Sequence, residues 1–337
     1  MLIGCNSSTP APVADAPKTD GGATTAPDSK PKLKIGIVYD TGGLGDKSFN
    51  DSANRGIERA KTELNVEATI IQSKNQSDYE LNVESLVSQK CDLVIAVGLG
   101  MENAVNAVAA KFPDAKIAVV DGGGKGANVR SLLFKEEQGS FMAGYLAGLM
   151  TKSNKIGFVG GMEIPLIAKF QYGYFAGAKL ANPNIELLPA KFTGDWNSTD
   201  KGKSAAIVLY SSGADIVYHA AGRAGLGVFQ AAKEQGKYVI GVDSDQDYML
   251  EGKTLASMVK RVDEAVFGTI KDVQDGKYTG GAKMYDISAN GVGLSEMKFT
   301  KDIIGAENLK KLDEIKAKLI SGEIIAPSTK AEFDAIK

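Results

Sequence analysis

The chain has 337 residues, 43% of them apolar and 24% charged, with a formal net charge of -2. That length holds one large or two ordinary domains, and so balanced a charge leaves no basic field to hold nucleic acid. No run of eighteen apolar residues occurs, so no membrane-spanning helix is expected.

The chain opens Met-Leu-Ile-Gly-Cys5. Leu-Ile-Gly-Cys5 resembles the lipobox of bacterial lipoproteins, in which the cysteine is lipidated and becomes the N-terminus. Only four residues precede Cys5, whereas a full export signal carries basic and apolar regions there. Either the sequence is cut short or its start is misassigned; a chance cysteine near the terminus is the alternative. Asn6 to Lys32 is rich in Ser, Thr, Pro, Ala, Gly and Asp and lacks Leu, Ile and aromatics. Such a segment cannot bury enough apolar surface to fold. Residues 1–32 are therefore expected to be a lipoprotein N-terminus and a disordered tether. The second cysteine, Cys91, lies in an apolar run and reads as core.

From Lys34 the chain repeats a pattern. Lys34-Ile-Gly-Ile-Val-Tyr-Asp40 is matched by Lys155-Ile-Gly-Phe-Val-Gly-Gly161. Cys91-Asp-Leu-Val-Ile-Ala-Val-Gly98 is matched by Ala214-Asp-Ile-Val-Tyr-His-Ala-Ala221, and Lys116-Ile-Ala-Val-Val-Asp121 by Tyr238-Val-Ile-Gly-Val-Asp243. Lys34 to Asp92 spans 58 positions and Lys155 to Asp215 spans 60, so the register holds. The stretches 52–64, 82–90, 102–112 and 227–234 place apolar residues three to four apart and read as helices. The short apolar runs between them read as buried parallel strands. Alternating strands and helices predict an α/β fold with two Rossmann-like lobes, each a parallel sheet covered by helices on both faces. The apolar helix 137–150 is expected to close the first lobe, with a crossing near Thr151–Asn154. The run 255–260 has no partner in the repeat and is read as a return to the first lobe. The expected lobes are 33–152 plus 256–285, and 153–255 plus 286–337, with the amphipathic stretch 309–320 packing on the second.

The strand ends carry the chemistry. Asp40 is followed by Gly42-Gly43-Leu44-Gly45, then Asp46, Ser48, Phe49 and Asn50 at a helix start, where free amides and a crevice favour ligands. A dinucleotide fingerprint is a poor fit, because Ser48 stands where the third glycine belongs; a bare tight turn is the other alternative. The remaining strand ends are Gly98-Leu-Gly100, Asp121-Gly-Gly-Gly124, Gly160-Gly161, Gly222-Arg-Ala-Gly225 and Asp243-Ser-Asp245-Gln246. Aspartate carboxylates accept two hydrogen bonds, which suits a vicinal diol or an exocyclic amine, and Lys260 can add a donor. Phe49 and Phe170 each follow the first strand of a lobe, so one ring is expected on each side of a cleft; a core contact is the alternative for both. Turn and helix-cap chemistry is the reading preferred for Asp46, Asp92 and Asp247.

Together these residues carry a resemblance. Asp46-Lys-Ser-Phe-Asn50 after the glycine loop, Val120-Asp-Gly-Gly123, Phe170-Gln-Tyr-Gly-Tyr-Phe-Ala-Gly177, Gly241-Val-Asp243 and Ser257-Met-Val-Lys-Arg-Val262 resemble the basic membrane protein family. The resemblance runs from Lys34 to about Ser328. It implies a two-lobe fold of the type I periplasmic-binding form and a substrate-binding lipoprotein of an ABC importer. It also implies a nucleoside ligand, purine in first place. By this likeness Phe49 and Phe170 stack on the base, Asn50 and Asp121 read its edge, and Asp243 and Lys260 hold the ribose. Asp40, Ser48 and Gly222 stand nearby. The protein is then expected to be a monomer at the outer face of the cell membrane, anchored through Cys5 and docking on permease subunits, with no cofactor.

An enzyme is poorly supplied. His219 is the sole histidine, which leaves a Ser-His-Asp set unsupported. Neither a metal-ligand cluster nor a phosphate loop of the G-x-x-x-x-G-K-[ST] form occurs. His219 ends a strand near the cleft and is read as packed rather than ligand-binding. The rivals kept open are a nucleoside-cleaving enzyme, a sugar binder of the same fold and a receptor-linked sensor.

Overall fold

The computed structural model describes residues 32–336. Cys5 and the tether expected around it lie outside the described residues. The chain begins β1 (Lys34–Tyr39), α1 (Phe49–Glu63), β2 (Glu67–Gln72), α2 (Tyr79–Ser88), β3 (Leu93–Val97), α3 (Glu102–Lys111), β4 (Ile117–Val120) and β5 (Val129–Phe134). It continues α4 (Glu136–Met150), β6 (Lys155–Gly160), α5 (Pro165–Ala181), β7 (Glu186–Leu187), β8 (Lys191–Phe192), α6 (Thr199–Ser211), β9 (Ile216–Ala220), α7 (Gly225–Gln235), β10 (Tyr238–Asp243) and β11 (Thr254–Lys260). It closes with α8 (Val262–Gln274), β12 (Gly281–Tyr285), β13 (Val292–Leu294), α9 (Lys301–Ile304), α10 (Ala306–Ser321) and α11 (Lys330–Asp334).

Two sheets form, with strand orders β12-β5-β4-β3-β1-β2 and β13-β11-β10-β9-β6-β7; β8 also pairs with β6. The first sheet is parallel throughout. In the second, β13 runs antiparallel to β11. The repeat read from sequence is thus a repeat of topology. Each inner strand is a continuous apolar run because helices cover both faces: all five residues of β3 and of β9 are buried. Cys91 is only half-buried, at the edge of this core.

Two lobe crossings differ from the expectation. Helix α4 packs on α5, β11 and β13 rather than on the first sheet, so the chain crosses at Lys135, not near Thr151–Asn154. The reason is backbone approach: a Cβ on Gly144 would lie 1.8 Å from Tyr174 O, and one on Gly177 would lie 2.0 Å from Phe141 O. Only glycine lets α4 and α5 come so close. Strand β11 pairs with β10 in the second sheet, so residues 256–260 stay in the second lobe and the chain crosses back at Arg261. Helix α8 then packs on α1, and β12 pairs with β5 in the first sheet. The run 255–260 does have a partner in the repeat, namely β5. The segment after Tyr285 crosses a third time to β13. Amphipathic α10 buries Leu312, Ile315 and Leu319 and rests on α4.

Candidate functional site

A cavity of about 300 Å³ lies between the lobes, at the C-terminal ends of the parallel strands. The first lobe contributes Asp40, Asp46, Phe49, Asn50, Gln76, Gly98 and Asp121; the second contributes Met162, Ile164, Leu166, Ile167, Phe170, Trp196, Gly222, Arg223, Asp243 and Lys260. Eight of the nine binding residues expected from sequence line it. The ninth, Ser48, sits behind the wall and donates its Oγ hydrogen bond to Asp243 Oδ2 at 2.5 Å.

The β1–α1 loop is held by its own carboxylates. Asp40 Oδ1 accepts from Gly42 N at 2.8 Å and from Asn50 Nδ2 at 2.9 Å. Asp46 accepts from the backbone N of Ser48, Asn50 and Asp51 at 2.8–3.1 Å, so it caps α1 from outside the helix. This agrees with the cap reading for Asp46, although the residue also touches the cavity. Burial raises the pKa of both carboxylates above the ordinary range, against the lowering effect of these bonds. Asn50 Oδ1 is buried and has no partner.

Asp121 and Asp243 occupy equivalent places, at the ends of β4 and β10. Both adopt left-handed backbone, φ 66° and 62°, a conformation uncommon outside glycine. Burial pushes Asp121 up to about 6 and Asp243 up to about 7; Lys260 opposes both rises. Between them the Lys260 ammonium is buried, donates to Asp121 Oδ2 at 2.6 Å and stands 2.9 Å from Glu136 Oε1. Burial would lower the lysine pKa, but Asp121, Glu136 and Asp243 outweigh it and hold the cation charged. The same ammonium lies 5.3 Å from the Phe49 ring centroid and 5.7 Å from that of Phe170. Asp121 Oδ1, like Asn50 Oδ1, is a buried acceptor without a hydrogen-bond partner. A buried acceptor left unpaired is costly, and both of these belong to residues that line the cavity.

The cavity mouth is closed by bonds from the second lobe to backbone carbonyls of the β1–α1 loop. Arg223 donates to Gly42 O and Leu44 O, and Asn197 Nδ2 donates to Thr41 O at 2.9 Å. Sequence reasoning missed Trp196, Arg223 and the aliphatic wall 162–167. Arg223 lies inside a glycine-rich strand-end loop already marked as a ligand loop. Trp196, the one tryptophan of the chain, sits in an irregular loop with no periodicity to orient it. Its ring rests on Gly161, where a Cβ would lie 2.2 Å away.

Other polar candidates fall elsewhere. His219 is wholly buried on β9, edge-on to Phe229 at 5.4 Å, and burial pushes it down to about 4, which keeps it neutral. It does not line the cavity. Asp247 accepts from Ser257 and Ser295 hydroxyls inside the second lobe, and Asp92 accepts from Lys34 N. Among the described residues no group of three or more His, Cys, Asp or Glu is arranged to hold a metal ion.

The family model for PnrA-like ABC transporter substrate-binding proteins, Bmp, matches residues 32–330. The chain belongs to the Bmp family. Similar proteins include a CD4+ T-cell-stimulating antigen of Listeria monocytogenes, 36% identical with 89% of each chain covered. Another is the ABC transporter nucleoside-binding protein BmpA of Lactococcus lactis subsp. cremoris, 35% identical over 97% of this chain and 95% of that one. Among solved structures, an ABC transporter solute-binding protein from Aeropyrum pernix K1 superposes with a TM-score of 0.81 at 27% identity, covering 90% of this chain and 96% of the other. As a Bmp-family protein, this chain is an ABC transporter substrate-binding protein, and its interlobe cavity is where such a protein would take its substrate. Among the described residues no helix is long and apolar enough to cross a membrane.

Proposed function

We propose that this Bmp-family protein captures a nucleoside, with purines preferred, in the interlobe cavity and delivers it to the permease subunits of an ABC importer. One observation carries the reading: two aromatic rings, Phe49 and Phe170, share a cavity of about 300 Å³ with two buried acceptors, Asn50 Oδ1 and Asp121 Oδ1, that lack a protein partner. Small-ligand pockets run from roughly 300 Å³ upward. A base stacked on an aromatic ring gains about 1–3 kcal/mol, and the free acceptors match N–H donors on a base edge or ribose hydroxyls. Asp243 and Lys260 lie on the same wall and supply the acceptor and donor that a ribose needs. The name of the Lactococcus relative supports the same ligand class.

The lining carries four carboxylates, Asp40, Asp46, Asp121 and Asp243, against the cations Lys260 and Arg223. That balance disfavours a phosphate, so nucleosides are expected over nucleotides. The aliphatic wall 162–167 favours a flat base over a lone sugar, whose hydroxyls would meet it unpaired. Both walls come from one chain, so a monomer carries a whole site.

Calorimetric titration of residues 32–337, refolded to strip any ligand, tests the reading with adenosine, guanosine, inosine, cytidine, uridine and ribose. Tight binding of a purine nucleoside with ribose silent is the expected result. Binding of ribose alone would move the ligand to sugars, and release of free base would make the protein an enzyme.

Anchoring at the extracytoplasmic face through lipidated Cys5 belongs to the same proposal, supported by Leu-Ile-Gly-Cys5 and the Ser/Pro/Ala-rich stretch behind it. Expressed behind a complete export signal, a Cys5→Ser variant should leave the membrane fraction. Continued membrane association would assign the anchor elsewhere.

A further inference from the structure

Lys260 ends β11, one residue before the crossing at Arg261. Glu136 opens α4, one residue after the crossing at Lys135. The two crossings thus bring together side chains that are far apart in sequence. The Glu136 carboxylate is wholly buried and does not line the cavity. One of its oxygens stands 2.9 Å from Lys260 Nζ, and the other accepts from Lys169 Nζ at 2.9 Å. Lys169 also donates to Phe134 O, at the end of β5 in the first lobe, at 3.1 Å.

We propose that Glu136 is a positioning residue of the binding site, holding the Lys260 ammonium at the interlobe wall from the side away from the ligand. The inference rests on the nucleoside reading, because it concerns the cation expected to face that ligand. Lys260 makes its aligned hydrogen bond to Asp121, while its contact with Glu136 is an ion pair at similar distance. Without Glu136, Asp121 would be the closest carboxylate left to balance a fully buried ammonium. It would then be drawn wholly onto Lys260 and its second oxygen turned from the ligand. With Glu136 in place the cation is neutralised from behind, and Asp121 keeps Oδ1 unpaired and free to accept. Glu136 also lies in the first turn of α4, where the helix N-terminus favours a carboxylate. A buried acid surrounded only by apolar groups would be neutral; Lys260 and Lys169 outweigh its burial and keep Glu136 ionised.

The test is a cycle of variants read by calorimetric affinity for the nucleoside that the wild type binds, with folding checked by thermal melts. Glu136→Gln keeps the shape and removes the charge, and it should weaken binding about tenfold. In a Lys260→Met background the same change should shift affinity by less than about twofold, because residues that act through one another are not additive. Independent, multiplying losses would overturn the proposal, as would wild-type affinity in Glu136→Gln. Should Lys260→Met not fold, Lys169→Met decides. It releases one oxygen of Glu136 and leaves the Lys260 pair intact, so affinity should stay within about threefold of wild type. A loss equal to that of Glu136→Gln would overturn the proposal by assigning Glu136 to the anchoring of α5. A wild type that binds no nucleoside defeats the functional reading itself, and the inference with it. Binding by the wild type with additive variants defeats the inference alone.

Discussion

Asp121 and Asp243 are single residues that the whole site leans on. Each sits in left-handed backbone at the end of an equivalent strand, a geometry that costs a non-glycine residue about 1–3 kcal/mol and clusters at functional sites. Asp243 faces Ser48, Asp46, Asp121 and Lys260, and its pKa is raised by burial from 3.8 to about 7. The native state therefore holds this proton more tightly than the unfolded chain does. Stability from this group is present at low pH and is lost as pH rises from about 4 to about 7. Ligand affinity should move the other way, since protonation turns one carboxylate oxygen from an acceptor of hydroxyl hydrogen bonds into a donor. We expect nucleoside affinity to fall as pH drops below about 7, by up to about tenfold per unit, and the dependence to flatten in Asp243→Asn. Titrations at pH values on both sides of 7 check this; an unchanged slope in the variant would remove Asp243 from the ligand.

Among the elements, α1 is the one whose start the sequence marks most clearly. It begins at Phe49, and its first free amides are taken by Asp46, not by a side chain of its N-cap residue Ser48. Loss of an N-cap acceptor costs about 0.5–2 kcal/mol. Asp46→Ala should lower the melting point accordingly, and it should also weaken ligand binding because Asn50 and Phe49 ride on that first turn. A variant with a lowered melting point but wild-type affinity would separate the cap from the site. Helices α4 and α5 show the opposite case. The apolar composition of α4 is plain in the sequence, but an apolar helix reads alike whichever sheet it covers. The partner became evident only from the interlocking backbones at Gly144 and Gly177.

For the whole molecule, the issue is closure. Arg223 and Asn197 reach from the second lobe to carbonyls of the first, and Ser48, Ser244, Lys47 and Gln246 join the lobes deeper in. A ligand touching both walls stabilises this closed form by its preference for it over an open one. Hydrogen bonds from a charged donor contribute about 1.5–3 kcal/mol. Arg223→Ala should therefore raise the ligand dissociation rate by about tenfold or more, with a smaller effect on association. Stopped-flow release measures it, and an unchanged rate would show that the mouth bonds do not hold the ligand in.

Sequence by itself determined the doubled α/β plan, the strand-end loops and the chemistry of 40–50, because apolar periodicity, glycine loops and capping aspartates act over a few residues. It also made Phe49, Phe170, Asp121, Asp243 and Lys260 legible as candidates, since each stands at a strand end or follows the first strand of its lobe. Only the tertiary structure decided where the chain crosses between lobes, and hence which side chains meet. Glu136 behind Lys260, Trp196 on Gly161 and Arg223 over the Gly42–Leu44 carbonyls are all contacts between segments remote in sequence. Such contacts follow from how the two sheets and their helices pack, and no local pattern encodes that packing.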